Sequence, residues 1–456
     1  MTRPDALRAT AARARGGAAL LALALGAAWA RPAAAAEPAP PDTALRQYLG
    51  GLRDSTDAYF GRAAAPLDTA GLDSALAWGL LHPDAPQRRQ TTLTLVPTFR
   101  YNRADGPVYG GTLGIGRAEG AGRITGRMSW AVGPRDLLGG AAWDKRLTRG
   151  PAEWRLGVSG GRRTQIIDRE RSDKTWAAIR ALTTGSDSRH YMREDGFATH
   201  LERETPVWRV KVGYADELQS PLETTTTWSL TGNRADPEFN LAARFGRMRE
   251  ITYEVGVQLP FMPVFLQADH STSSDAIGSD FEYRRSRFAA SGDWALGRSF
   301  SIVPQVAYGR LSGEAVPQAS FYLGGNRSLR SIRGSSMGGT GLGLARVDLI
   351  GHDDVLALMR VPHPDAFPIH AGAFAATGAA WGEDPFGGRT IPGVDWPNRQ
   401  DWLHEAGVQI LYRPGIPDSD GYVRISYAWP LGASDRPGRW MVTYSRALDL
   451  VDRIAR

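Results

Sequence analysis

From Thr91 to Arg446 the chain alternates apolar and polar residues with a period of two. Ile124, Gly126, Met128, Trp130 and Val132 interleave with Arg123, Thr125, Arg127, Ser129 and Ala131. Trp154, Leu156 and Val158 interleave with Arg155, Gly157 and Ser159. The same holds for Trp208, Val210, Val212 and Tyr214 against Arg209, Lys211 and Gly213, and for Ile251, Tyr253, Val255, Val257 and Leu259 against Glu250, Thr252, Glu254 and Gln258. Successive side chains of a strand point to opposite faces, so each stretch reads as a strand with one oily and one wet face.

A soluble sandwich shows the same alternation, and strand length and the content of the wet face separate the two. Here strands of about ten residues are abundant and their wet sides carry both signs of charge. Aromatic residues recur toward strand ends: Tyr101, Trp130, Trp143, Trp154, Tyr214, Trp381, Tyr412, Tyr427, Trp429 and Tyr444. A polar lumen with aromatic girdles fits this pattern, and closing the sheet removes its edges. Tight turns at Arg103-Ala104-Asp105-Gly106 and Arg149-Gly150-Pro151 are expected on the periplasmic side, and long connections such as 382–401 outside. The span 91–446 accommodates about 16 strands at about 22 residues per strand and connection. The expected fold is an all-β transmembrane antiparallel β-barrel.

The remaining segments are short. Ala18 to Ala30 is an apolar run preceded by an arginine-rich stretch and followed by Ala33-Ala34-Ala35-Ala36. It is too short for a membrane anchor, so residues 1–36 read as a cleaved secretory signal. The arginines at 3, 8, 13, 15 and 31 against Asp5 account for most of the formal charge of +6. The mature chain is then near neutral, without the electrostatic footprint of a nucleic-acid binder. Residues 37–90 read as a periplasmic leader, with a short helix over Leu67 to Leu81 capped by Asp68 or Thr69, or as a linker. Cysteine is absent, which removes disulfides, thiol catalysis and cysteine metal sites.

Within the alternating region lies an unusual insert, Phe321-Tyr322-Leu323-Gly324-Gly325-Asn326-Arg327-Ser328-Leu329-Arg330-Ser331-Ile332-Arg333-Gly334. Two glycines allow a sharp reversal, and arginines sit beside Leu329 and Ile332. Leu323-Gly324-Gly325, a spacer of three residues and then Leu329-Arg330 resemble the sixth-loop motif of the bacterial surface antigen superfamily, the barrel type of BamA, TamA and the two-partner secretion transporters. Ser331 and Ile332 stand where that motif has Gly and an aromatic. A second frame, Ile332-Arg333-Gly334, keeps the Gly but breaks the distance to Leu-Gly-Gly.

The resemblance implies a long extracellular loop folded into the lumen, with Gly324 and Gly325 at its hinge and Arg330 latched to Asp348. Arg333 and Gly334 are the alternative latch. It extends to the strands Gly341 to Ile350, Ala373 to Trp381, Gly407 to Tyr412 and Val423 to Leu431. Tyr101 to Gly106 is similar to the first-hairpin signature of members without periplasmic domains. Ala376 replaces a second acid usual in the family, and residues 37–90 are too short for a POTRA domain. The last strand, Arg439 to Arg446, is followed by a ten-residue tail, 447–456.

No enzymatic constellation is expected, and no cofactor or metal. His352-Asp353-Asp354 with His363 and His370 matches no ligand spacing. His200, Glu202 and Glu204 read as a wet barrel wall. Gly338-Gly339-Thr340-Gly341-Leu342-Gly343 lacks the lysine of a phosphate loop and reads as the flexible exit of the insert. Arg284, Arg285 and Arg287 straddle both faces of one strand.

By resemblance, the expected role is outer-membrane protein assembly or translocation. A pore and a lipid- or surface-interacting barrel are the alternatives. Expected partners are outer-membrane lipids and lipopolysaccharide, with unfolded outer-membrane proteins or a periplasmic factor, and no nucleic acid.

Overall fold

The computed structural model describes residues 91–117, 122–148, 152–169, 174–232, 239–364, 367–387, 396–412, 421–432 and 436–446. The expected signal (1–36), the leader (37–90), the turn at 149–151 and the tail (447–456) lie outside the described residues.

The alternating stretches form β1 (Thr91–Asn102), β2 (Gly106–Arg117), β3 (Arg123–Ala131), β4 (Asp136–Arg146) and β5 (Glu153–Ile166). After helix α1 (Lys174–Thr184) come β6 (Tyr191–Glu204), β7 (Trp208–Pro221), β8 (Gly246–Gln258), β9 (Val264–Ser273), β10 (Tyr283–Gly292), β11 (Trp294–Leu296) and β12 (Phe300–Gly313). The insert contributes β13 (Phe321–Leu323) and β14 (Met337–Gly339), which pair only with each other. The wall resumes with β15 (Gly341–Gly351), helix α2 (Val355–Leu358), β16 (Ile369–Trp381), β17 (Leu403–Tyr412), β18 (Gly421–Leu431) and β19 (Arg439–Arg446).

Each wall strand pairs antiparallel with the next, and 17 strands share one sheet. Because β11 continues β10 past Asp293 and both pair with β12, these strands make sixteen passes. Among the described residues no backbone register joins β1 to β19. The sheet nevertheless curls around an interior. One connection, Glu314 to Thr340, touches β10 through Arg285 Nε donating to Ala319 O (3.0 Å) and β19 through Arg439 Nη1 donating to Ile332 O (2.7 Å). A short segment reaches strands that far apart in pairing order only if the sheet bends round it.

The wall is inside-out relative to a soluble domain. Leu95 (74% exposed), Met128 (65%) and Ile124 (54%) stand outward, whereas Glu250, Gln267, Arg285, Gln305 and Arg346 are buried on the inward face. From β1 through to β19 neighbouring strands satisfy each other's backbone groups, as crossing a hydrocarbon layer without helices requires. The spanning elements of this transmembrane barrel are its strands; no helix among the described residues is long and apolar enough to cross a membrane.

Two expectations are corrected. Tyr101 is not a girdle residue: it is buried and donates its hydroxyl to Trp228 O at 2.6 Å. The turn Arg103 to Asp105 lies at the end of the wall that also carries 382–402, since strands alternate direction and both connections follow upward strands. That turn is buried because Asn102 Oδ1 accepts from the amides of Ala104 and Asp105, and Arg193 Nη2 reaches Asp105 Oδ1 at 3.2 Å.

Candidate functional site

The insert reverses where Gly324 and Gly325 take φ of 110° and 98°, a region costly for any residue with a Cβ. A Cβ on Gly324 would lie 2.2 Å from Arg333 O and 2.9 Å from Ile332 Cγ2. The Gly325 amide donates to Leu329 O (2.9 Å), and the Gly324 amide to Ser328 Oγ (3.2 Å). This tight knot pushes Leu329 and Ile332 into an apolar cluster with Phe321, Leu323, Leu342 and Leu344. Each buried aliphatic side chain there contributes about 1.5–3 kcal/mol.

The knot also aims Arg330 at the inward face of β15 and β17. Arg330 is fully buried; Nη2 donates to Asp348 Oδ1 (3.2 Å) and Nη1 to Gln409 Oε1 (2.9 Å). Its guanidinium lies 4.1 Å from the ring centroid of Phe374, on β16 between those two strands. Asp348 is itself fully buried and accepts further from Arg346 Nη2 (2.8 Å) and Gln409 Nε2 (3.0 Å). Arg346 in turn donates to Asn326 O of the insert at 2.8 Å.

A second carboxylate enters from β17, at Glu405, two residues ahead of the stretch Gly407 to Tyr412 that the sequence marks as a strand. The amides of Arg330 and Ser331 donate to the two oxygens of Glu405, at 2.8 and 2.7 Å. Register explains why: Glu405 on β17 sits directly across from Ala376 on β16, which in turn sits across from Arg346. Glu405 thus supplies an inward acid directly across from Ala376, one strand over. Arg330, Arg346, Asp348 and Glu405 make two positive and two negative groups, the balance that buried charge requires. The available signal was parity, since Glu405 and Gln409 fall on the inward positions of their strand.

The alternative pair is placed differently. Arg333 is exposed, its carbonyl accepting from Ser336 Oγ at 2.7 Å, while Gly334 is buried. Ser335, at φ 52°, donates to Asp168 Oδ2 (2.7 Å), and His190 Nε2 donates to Ser335 O (3.1 Å). Above the latch the long connections meet. His190 packs edge-on against Phe386 at 5.5 Å and Phe239 at 6.0 Å, and its Nδ1 accepts from the Leu241 amide at 3.0 Å.

The other candidates stay apart. No cluster of metal-ligating side chains occurs among the described residues. His363 bonds Asp354 (2.6 Å), which caps α2 through the Leu356 amide (3.0 Å), so this pair shapes a connection. Partial burial raises the Asp354 pKa, but the amides of Ile369 and Leu356 and the His363 ring outweigh it and hold the carboxyl below its ordinary value. Gly338 to Gly343 is not a flexible exit: it spans the end of β14 and the start of β15. On β10, Arg284 is exposed, whereas Arg285 and Arg287 are buried on the lumen side.

No family model matches the chain, and no curated protein matches its sequence. Among solved structures it is similar to CdiB from Acinetobacter baumannii, at 12% identity and TM-score 0.40, covering 78% of this chain and 65% of that one. CdiB from Escherichia coli aligns at 11% identity and TM-score 0.41, covering 80% and 68%. OccK1 (OpdK) from Pseudomonas aeruginosa aligns at 12% identity and TM-score 0.35, covering 77% and 94%. The chain thus spans about two thirds of the length of the CdiB chains. At these values the similarity adds nothing finer to the wall and loop described above.

Proposed function

We propose that this barrel resides in the bacterial outer membrane and takes part in the assembly or translocation of proteins there, as a member of the surface antigen type. The supporting observation is the insert folded into the lumen with its buried Arg330 held by Asp348, Gln409 and Glu405 on the inner wall. A lumen occupied by a latched segment is poorly suited to passive diffusion and well suited to a wall that rearranges when the latch moves. In this reading the partners are outer-membrane lipid, lipopolysaccharide and unfolded barrel clients, and residues 1–36 direct export.

Depleting the protein and quantifying the outer-membrane proteome tests the assembly role. Reduced levels of other barrels are expected; unchanged levels of all of them would end it.

A further inference from the structure

Away from the lumen, one arginine stands on the lipid-facing side of the wall. Arg203, near the end of β6, alternates in step with Phe197 and Leu201, which face outward at 46% and 40% exposure. Its guanidinium lies 5.3 Å from the ring centroid of Trp154 on β5 and 5.0 Å from that of Trp208 on β7. We infer that this clamp of Trp154, Arg203 and Trp208 binds the phosphate of an anionic phospholipid, at the end of the barrel opposite 382–402.

Register brings the three together. Arg203 sits directly across from Trp154 on one side and from Val210 on the other, and Trp208 begins β7 two residues before Val210. The Thr205 amide donates to Trp208 O at 2.8 Å, so a tight turn returns Trp208 beside Arg203. Tryptophan settles at the boundary between hydrocarbon and headgroups, where its ring is apolar and its N–H edge stays wet. Two such rings flanking one arginine hold its charge at headgroup depth.

The wall supplies no acceptor for this guanidinium. Among the described residues the Arg203 side chain makes no hydrogen bond or ion pair, and its Nε is buried without a partner. Ring faces attract the cation but leave its N–H groups without oxygen acceptors. The carboxylates at this end, Glu153, Glu202, Glu204 and Glu254, alternate onto the lumen face, where they meet other cations. Glu153 bonds Arg155 at 2.5 Å, Glu204 lies 3.6 Å from Arg155, and Arg209 bonds Glu254. Glu202 sits directly across from Lys211.

The acceptor that meets Arg203 therefore comes from the bilayer. At headgroup depth it is a phosphodiester, whose oxygens a guanidinium binds through two parallel hydrogen bonds. The outward face also selects the charge of the lipid. Among the described residues its acids on β4 to β8 are Asp195 and Asp216, toward the other ends of their strands, where Arg162 at 3.4 Å and Arg247 at 2.6 Å hold them. With no carboxylate beside Arg203 to receive an ammonium group, phosphatidylglycerol fits the clamp better than a zwitterionic headgroup.

The test is native mass spectrometry of the folded full-length barrel in detergent, titrated with phosphatidylglycerol or with phosphatidylcholine of the same acyl chains. It depends on the wall spanning lipid and not on an assembly role. One phosphatidylglycerol per barrel is expected to be retained at concentrations where phosphatidylcholine is lost. Arg203→Gln should weaken that retention about tenfold or more, as loss of a charged hydrogen bond does, while the barrel still migrates as folded on semi-native gels. Arg203→Lys should restore only part of it, because an ammonium lacks the planar fork, and Arg284→Gln at the other end of the wall should leave it unchanged. Equal retention of the two lipids overturns the proposal. So does wild-type retention of phosphatidylglycerol in folded Arg203→Gln.

Discussion

Arg330→Ala removes one of the two guanidiniums that neutralise a fully buried Asp348 and leaves Gln409 Oε1 without its donor. Breaking a buried pair from one side costs about 3–5 kcal/mol. The folded band on semi-native gels is therefore expected to convert to the unfolded one at a distinctly lower temperature, and an unchanged transition would sink the latch. Arg330→Lys should rescue only part of the loss, because an ammonium lacks the planar fork that reaches Asp348 and Gln409 together. Glu405→Gln keeps the shape but turns one accepting oxygen into an NH2 that cannot accept, so one of the two amide bonds is lost, for a loss of about 1–3 kcal/mol on the same gel assay. Arg330 was legible in the sequence because its distance from Gly324 and Gly325 is local. Glu405 was not, because it meets Arg330 across 75 positions and through a strand register that period-two alternation does not specify.

The strands were legible as elements because alternation is a property of each strand by itself. The ribbon β13–β14 was not, since three-residue strands are too short to show a period. The side on which a turn lies depends on counting strands without error, and the turn at Arg103, expected on the periplasmic side, lies at the other end. Gly324→Ala tests the insert as an element. Its new methyl meets the carbonyl of Arg333 at 2.2 Å in a backbone conformation that alanine resists. Protease sensitivity of the insert should rise while the wall stays intact, and wild-type resistance would contradict the knot.

The connection 352–368 offers a pH test. Asp354 is held below its ordinary pKa, so its ties to Leu356 and Ile369 are present at neutral pH and lost as pH falls through the depressed value. Asp354→Asn should speed amide exchange at those two residues at neutral pH, and the difference from wild type should shrink in acid. An equal difference at both extremes would contradict this assignment.

At the scale of the whole barrel, sixteen passes set the diameter and the insert sets what that diameter is used for. Barrels of 16 strands leave room for an aqueous channel when the interior is not filled. Here Glu314 to Thr340 folds inward and fixes itself to β10, β15, β17 and β19 through Arg285, Arg346, Glu405 and Arg439. The described outer connections meet above it around His190. In planar bilayers the intact protein is expected to show little steady conductance, whereas deletion of Gly324 to Ser336 should open large, long-lived channels. Removing the knot takes away Arg330 and Arg327 but none of the wall's own backbone pairing, so the deletion variant should still migrate as a folded barrel. Comparable steady channels in the intact protein would mean that the lumen conducts around the insert, and would favour the pore over a latched translocation or assembly barrel.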